Sequence, residues 1–276
     1  MNKDEYYLQF QRNLPFILDI ALSMRSLFKF THRKFNQFFH SFISCKKNRY
    51  IFAILCVKRP EYVMMAIDNC NSLHMQNPSH TVYLYCDTVS YQEFRKLRHL
   101  LDYPKQVIAK DLYGFAPAPW QTYKIEALID ASLKHRVLVD ADSLWHADPV
   151  IDANVVTFLV LNYQIHDNKE ESELMQRMYP HTDWNDIDHF ATGFVSIPKK
   201  FMTKSLQATL RRMYANIRRS VKNESLVRLV DELSINCAIQ SCIPKSMIRT
   251  LKATDGPMDT TIVQSLYYGC SNHITK

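Results

Sequence analysis

Glycine is scarce in this sequence, with four glycines in 276 residues. Loops that cradle phosphate groups need several glycines at fixed spacing, and neither G-x-G-x-x-G nor a P-loop motif is present. The sequence therefore excludes phosphate binding by a glycine-rich loop. If the chain binds phosphate groups, a metal ion must take over that task.

Two other patterns are also missing. The seven cysteines include no C-x-x-C pair, so the sequence predicts neither a zinc site nor a disulfide framework. Cysteines inside apolar runs pack as small hydrophobic residues, and they favour a reducing compartment. No apolar run is long enough to span a bilayer, and Asp4 and Glu5 do not suit a signal peptide. We expect a cytoplasmic protein, and the sequence leaves open whether it also binds peripherally to a membrane.

The composition fits a globular protein with a sizeable core. The chain is 47% hydrophobic and 22% charged, which is compatible with one large α/β domain or two small ones. The net charge of +7 suggests an anionic partner, such as a nucleotide, an acidic membrane surface or a nucleic acid. Ordinary solubilising charge explains the same value equally well.

Residues 1–49 differ from the rest of the chain. Apolar residues recur at helical spacing between positions 16 and 43, and Arg25, Lys29 and Arg33 share one helical face. The pattern predicts a basic amphipathic helical extension. Such a helix suits an anionic membrane surface, with contact through residues 16–49. It equally suits packing on the following domain, and the sequence leaves both open.

Residues 50–276 alternate between strand and helix patterns, which predicts a mostly parallel sheet flanked by helices. The predicted strands are Tyr50–Val57, Thr81–Tyr85, Gln106–Ala109, Val137–Val139, Val155–Leu161 and Phe190–Ile197. The predicted helices are Pro60–Leu73, Tyr91–Leu101, Pro119–Lys134, Asn168–Met178, Lys199–Arg219 and Asp231–Gln240.

Asp140 and Asp142 follow the buried strand pattern Val137–Val139. In an extended chain their spacing places both carboxylates on one side, and ligands of open α/β sheets bind outside the carboxyl ends of strands. Two converging carboxylates repel each other unless a cation lies between them, and their oxygens suit Mg²⁺ or Mn²⁺. The pattern predicts a metal site for a diphosphate, although aspartates are also common in turns.

The stretch Val137–Asp142, with Asp148-Pro149 after it and the helix-like Trp120–Leu128 before it, resembles the DXD region of GT-A-type nucleotide-sugar glycosyltransferases, in particular family 8-like members. The resemblance runs from about Tyr50 to the C-terminus. It implies a GT-A-like fold and transfer of a sugar, with retaining chemistry, from a nucleotide-sugar donor, typically UDP-linked. It also implies Mn²⁺ or Mg²⁺ on the two aspartates, and a hydroxyl acceptor such as a glycan or a lipid-linked saccharide.

The resemblance also implies roles for other residues. Thr192 and Gly193 are similar to the family's N-S-G strand beside donor and acceptor, with Thr192 departing from the pattern. Asp231, Glu232 and Asn236 are similar to its D-Q-D-x-x-N helix, with Glu232 in place of Gln. The resemblance implies a catalytic carboxylate near the transferred sugar, and an acid here could instead deprotonate the acceptor hydroxyl. The resemblance also places His273 at the metal, and Lys124, Asp87 and Lys276 at the donor. The family's spacing between the late histidine and the late lysine is not reproduced in this sequence.

Each of these residues also has an ordinary structural explanation. Acidic residues are common at helix N-termini, and a lone histidine is often structural. Lys124 could pair with a phosphate group or with Asp140, or it could simply lie on a solvated helix face. Three other functions stay open: a sugar-phosphate nucleotidyltransferase, a nucleic-acid-binding protein, and a glycosyltransferase acting on modified DNA. The first is disfavoured because Val57–Pro60 lacks the glycine-rich loop expected after the first strand.

Overall fold

The computed structural model describes residues 49–58, 61–145, 147–159, 161–179, 187–221, 229–251 and 257–258. These residues belong to one unit of the chain, residues 49–276. The predicted extension of residues 1–49 lies outside the described residues apart from its last residue, and so do His273 and Lys276. Within the described part, no helix combines the length and apolar character needed to cross a bilayer.

The first half of the described chain alternates strands and helices as predicted. Its elements are β1 (Ile51–Cys56), α1 (Glu61–Gln76), β2 (Thr81–Cys86), α2 (Thr88–Leu97), a 3-10 turn (Arg98–Leu100), β3 (Val107–Asp111), α3 (Trp120–Leu133) and β4 (Val137–Val139). Strand β4 is short and fully buried, as expected for an inner strand of a parallel sheet.

The second half is more irregular. Its elements are β5 (Leu144–Trp145), β6 (Val156–Leu159), β7 (Leu161–Gln164), a 3-10 turn (Ile165–Asp167), α4 (Lys169–Met178), β8 (Asp188–Phe190), β9 (Phe194–Ser196), α5 (Lys204–Ser220), α6 (Val230–Cys242), a 3-10 turn (Lys245–Met247), β10 (Ile248–Leu251) and β11 (Pro257–Met258).

A seven-stranded sheet in the order β10-β6-β9-β4-β1-β2-β3 organises these elements. Six of its strands run parallel, and β9 runs antiparallel between β4 and β6. The carboxyl ends of the six strands therefore share one edge of the sheet with the amino end of β9. Two small antiparallel pairs, β5-β11 and β7-β8, accompany it. The α/β class and the mostly parallel sheet were predicted correctly.

The strands alternate between two cores. In β4, Leu138 packs into the core that also takes residues of α3, α4, α5 and α6. Val137 and Val139 point to the other side, into the core formed with α1. This period of two is what a strand covered on both faces requires. It fixes the register of β4, and so also the position at which Asp140 leaves the sheet.

Three predicted elements need correction. Phe190–Ile197 was expected as one strand, but it forms two, β8 and β9, with Ala191–Gly193 between them. Val155–Leu161 likewise divides between β6 and β7. The predicted helix Lys199–Arg219 begins only at Lys204, because the Thr203 side chain accepts a hydrogen bond from the backbone of Leu206 and caps the helix there.

Candidate active site

Asp140 and Asp142 lie at the carboxyl edge of the sheet, directly after β4. The chain is not extended here as expected, because the strand ends at Val139 and Ala141-Asp142 form a turn. The backbone of Ser143 donates to the carbonyl of Asp140 at 3.2 Å. Burial raises the pKa of Asp140 to about 7; Lys124 opposes this shift and Asp142 adds to it. The two aspartates thus interact electrostatically across the turn.

The β4 turn (residues 140–145) is held by helix α1 through uncharged groups. Asn69 is buried; its amide donates to the Asp140 carbonyl at 2.9 Å, and its oxygen accepts the Trp145 indole N–H at 2.8 Å. Ser72 accepts from the backbone of Trp145, and Gln76 donates to its carbonyl. These contacts of α1 with the strand end are hydrogen bonds between uncharged groups.

Lys124 of α3 is a buried counter-ion. Its Nζ lies 2.9 Å from Asp140 and 3.3 Å from Asp231, and its side chain is 5% exposed. Burial alone would lower the pKa of Lys124, but attraction by Asp140 and Asp231 outweighs burial and raises it. The ammonium group therefore links the β4 turn to helix α6. Of the two partners considered for Lys124, the structure shows the carboxylate.

Asp231 stands in the first turn of α6. Its side chain is 3% exposed, and one oxygen, Oδ2, meets Lys124. Within the described part of the chain the other oxygen, Oδ1, is buried and has no hydrogen-bond partner. Burial raises the pKa of Asp231, against the effect of Lys124. An unpartnered buried carboxylate oxygen is costly, and in native structures it often marks a site that a ligand or ion completes.

Glu232 is held from two sides. His189 Nε2 donates to its Oε1 at 2.6 Å, while the backbone and hydroxyl of Thr192 donate to Oε2 at 3.3 and 3.2 Å. Burial would raise the pKa of Glu232, but the hydrogen bond and charge of His189 outweigh it and lower the pKa. The second ring nitrogen of His189 donates to Glu171 of α4 at 2.9 Å.

Gly193 lies beside Asp140 because β9 runs antiparallel to β4. The backbone N–H of Asp140 donates to the Gly193 carbonyl at 2.8 Å. A methyl group at Gly193 would lie 3.8 Å from Asp140 Oδ2 and 3.5 Å from Leu159, which are ordinary contacts. The fold therefore does not require glycine here, but any side chain would stand next to the carboxylate. Thr192 and Gly193, predicted at the substrate, are thus both in the cluster.

Asn236 and Asp87 are more structural than expected. The Asn236 amide is fully buried and bonds both the N–H and the carbonyl of Phe190. Asp87 lies at the same edge as Asp140, after β2, but one of its oxygens caps α2 through Ser90 and the other accepts from the backbone of Lys58. Their predicted contacts with substrate and donor stay predictions.

The residues present suit a hard divalent cation. Asp140, Asp142, Asp231 and Glu232 bring four carboxylates to one edge of the sheet, and Lys124 is the cation that two of them share. The unpartnered oxygen of Asp231 shows that this negative charge is not fully compensated within the described residues. In those same ranges no group of three or more histidine, cysteine, aspartate or glutamate side chains is arranged around a common metal position. Two aspartates would thus need further ligands, such as phosphate oxygens.

Sequence reasoning missed Asn69, Glu171 and His189. His189 immediately precedes the predicted Phe190 strand, and its two carboxylate partners lie far away in sequence. No local motif marks such a set. The sequence shows only that a histidine lies next to a predicted strand. Histidines in that position are too common to indicate a functional residue by themselves.

Comparisons with known proteins add a distant structural similarity. No family model and no curated protein matches the sequence. Among solved structures, the galactosyltransferase LgtC with donor and acceptor analogs matches at 10% identity and a TM-score of 0.49, covering 74% of this chain and 73% of that one. The mannosyltransferase Ktr4p from S. cerevisiae matches at 12% identity and 0.46, covering 78% and 71%.

The apo-form glycosyltransferase GlyE from Streptococcus pneumoniae matches at 13% identity and a TM-score of 0.46, covering 75% of this chain and 46% of that one. Similarity at this level assigns no activity. A functional assignment has to come from the residues of this chain.

Proposed function

We propose that this chain is a metal-dependent glycosyltransferase that moves a sugar from a nucleotide-sugar donor, most simply a UDP-sugar, to a hydroxyl acceptor. One observation carries the proposal: a strand-end pair of aspartates, Asp140 and Asp142, is joined through a buried lysine to the acidic first turn of α6. Carboxylate oxygens in that number suit Mg²⁺ or Mn²⁺, and the carboxyl edge of an open α/β sheet is where ligands bind.

Asp140 and Asp142 would hold the cation. When bound, it would neutralise the leaving diphosphate as a Lewis acid and template. The scarcity of glycine supports this role, because no glycine-rich loop is available to bind the phosphates. His273 and Lys276, outside the described residues, stay proposed as a further metal ligand and a further diphosphate contact.

Lys124 sets the geometry of the site. Because its ammonium binds both Asp140 and Asp231, it keeps the metal-binding turn and the acidic helix at a fixed separation. It also reduces the repulsion between carboxylates that the fold brings together. We favour this role for Lys124 over direct binding of a phosphate group, because the lysine side chain is only 5% exposed.

Asp231 and Glu232 would act on the sugar and the acceptor. The unpartnered Oδ1 of Asp231 offers a hydrogen-bond acceptor for a substrate hydroxyl. The pKa of Glu232 is lowered, whereas a general base works best with a pKa near the working pH. Glu232 therefore suits a permanent negative charge that stabilises a positively charged transition state, in keeping with the retaining chemistry that the family resemblance implies.

The test is a panel of nucleotide sugars with Mn²⁺, scored by release of the nucleoside diphosphate. Asp142→Asn keeps the size of the side chain but removes a charged ligand, so we expect turnover to fall by at least about a hundredfold. Asp152→Asn is the matched control, because Asp152 lies in a loop before β6 and its carboxylate caps a turn at Asn154.

Equal activity of Asp142→Asn and the parent, or parent activity that survives EDTA, would contradict the metal-dependent proposal. Release of pyrophosphate in place of the nucleoside diphosphate would instead favour a nucleotidyltransferase. Thermal unfolding of each variant shows whether a loss of turnover reflects the site or the fold.

A further inference from the structure

The side chains of Glu171, His189 and Glu232 form a continuous buried chain. His189 and Glu171 are fully buried, and the Glu232 side chain is 22% exposed. Both ring nitrogens of His189 face carboxylate oxygens, at 2.9 and 2.6 Å. An ionised carboxylate can only accept hydrogen bonds, so a histidine that donates to two of them must carry both ring protons and a positive charge.

The arrangement is asymmetric in a way that matters for chemistry. Glu171 lies entirely inside the protein, and Asn168 also donates to it. Of these three side chains, only that of Glu232 is partly exposed to solvent. Glu232 follows Asp231 in the first turn of α6. The positive charge of His189 therefore acts on Glu232, the residue of the three that lies at the candidate active site.

We propose that His189, anchored by Glu171, is a positioning residue that keeps Glu232 ionised and correctly oriented for the reaction. This inference rests on the proposed glycosyl transfer. It goes beyond that proposal because it gives the site a buried cation that touches neither donor nor acceptor. In physical terms Glu171 offsets the cost of burying the imidazolium, and the imidazolium in turn offsets the cost of burying part of Glu232.

Among the described residues, the two side chains that ion-pair with His189 are both carboxylates, which favour a charged imidazole. Glu171 comes from α4 and Glu232 from α6, while Lys124 of α3 lies beyond Glu232, beside Asp231. Burial would lower the pKa of His189, but its hydrogen bonds to Glu171 and Glu232 outweigh burial and raise the pKa to about 9. A histidine with a raised pKa stabilises the fold fully below about pH 6.5, its unfolded value. That contribution is lost as the pH rises through about 9.

The same titration should appear in catalysis. Above about pH 9 a neutral His189 can donate to only one carboxylate, so either Glu232 or Glu171 loses its hydrogen bond from His189. We expect turnover of the parent to fall on the alkaline side. Glu171→Gln removes one of the two charges that hold the proton on His189, so this alkaline limb should move to lower pH.

His189→Gln tests the role directly, because the amide is uncharged and carries both of its N–H donors on one nitrogen, so it cannot replace an imidazolium that donates from two separate nitrogens. We expect kcat to fall roughly tenfold to a hundredfold, the range seen when a supporting partner of a functional group is lost. The KM for the donor should change little. His80→Gln is the matched control: His80 is also buried and bonds a carboxylate, Asp148, at 2.7 Å, but it packs in the other core, against Phe52.

The three variants give a distinct pattern. We expect both histidine variants to be less stable than the parent. Only His189→Gln should also lose kcat and no longer show the fall of turnover at alkaline pH. NMR of the imidazole nitrogens in the parent should show His189 doubly protonated at pH 7.5. A neutral His189 in active enzyme, or a His189→Gln variant with kcat within about twofold of the parent, would overturn the proposal and leave the glycosyltransferase assignment intact. A parent inactive with every donor would instead refute the proposed function.

Discussion

The β4 turn and the first turn of α6 are joined through Lys124, yet they are fixed by different forces. Uncharged groups of α1, chiefly Asn69, hold the turn that carries Asp140. Ion pairs with Lys124 and His189 hold the helix start that carries Asp231 and Glu232. Neutral hydrogen bonds respond little to pH or salt, whereas the strength of ion pairs depends on the protonation of both partners. The contacts that hold the backbone of the β4 turn are therefore insensitive to pH, whereas the contacts that hold the start of α6 depend on it.

Of the substitutions that test this difference, Lys124→Met should lower the free energy of unfolding the most. The variant keeps the volume of the chain but leaves Asp140 and Asp231 without their counter-ion. Breaking a buried pair in this way costs about 3–5 kcal/mol, and the lower end applies because the Asp140 side chain is 36% exposed. Chemical denaturation in the presence of a chelator measures the loss of unfolding free energy.

The pH dependence of that loss has a definite sign. Without Lys124, both aspartates have raised pKa values in the folded state, and such groups destabilise the fold progressively as pH rises above their unfolded values. The deficit should therefore be greatest above pH 7 and shrink toward pH 4. A deficit that is constant with pH would show that the two carboxylates do not depend on Lys124.

Asn69→Ala tests the uncharged wall and should have an intermediate effect. It leaves the buried Trp145 indole N–H without its acceptor, which costs about 1–3 kcal/mol. Since neither partner titrates, this loss should be the same at pH 5 and pH 8. Asn71→Ala is a matched control on the same helix, where Asn71 bonds Leu100 and Asp102 in place of the β4 turn.

Asn69→Ala and Asn71→Ala should destabilise the protein to a similar degree. Only Asn69→Ala should also raise the concentration of Mn²⁺ needed for half-maximal turnover, because Asn69 holds the Asp140 backbone. If the two variants need the same Mn²⁺ concentration, the α1 contacts stabilise the fold without shaping the site.

Gly193→Ala should have the smallest effect on stability. The backbone of Gly193 is not left-handed, and the new methyl group meets only ordinary contacts. The unfolding free energy should change by less than about 1 kcal/mol. Turnover should nevertheless fall, because the methyl group lies 3.8 Å from Asp140 Oδ2. Gly114→Ala should show the reverse, a stability loss of about 1–2 kcal/mol from its φ of +56° with turnover retained.

The sequence was sufficient for the parts of this site that local patterns determine. The strand pattern before Asp140, and the helix around Lys124, follow from short apolar runs and periodicity, and the structure places both elements as predicted. The break between β8 and β9 was not predictable, because Phe190–Ile197 is mostly apolar and the turn at residues 191–193 depends on Glu232 and Asn236 from α6. His189 was missed for the same reason, since its partners come from two distant helices.

The reversed strand β9 has a consequence for how the molecule assembles. The parallel strands form two separate groups, β4-β1-β2-β3 and β10-β6, and among the strands of the described residues only β9 hydrogen-bonds to both. It does so through very few residues, with Val195 opposite Leu138 on one side and Phe158 on the other. Such long-range pairings form slowly, because loop closure comes before any gain from the contacts. The insertion of β9 is therefore expected late in folding, so that Gly193 reaches Asp140 only when both halves of the sheet already exist.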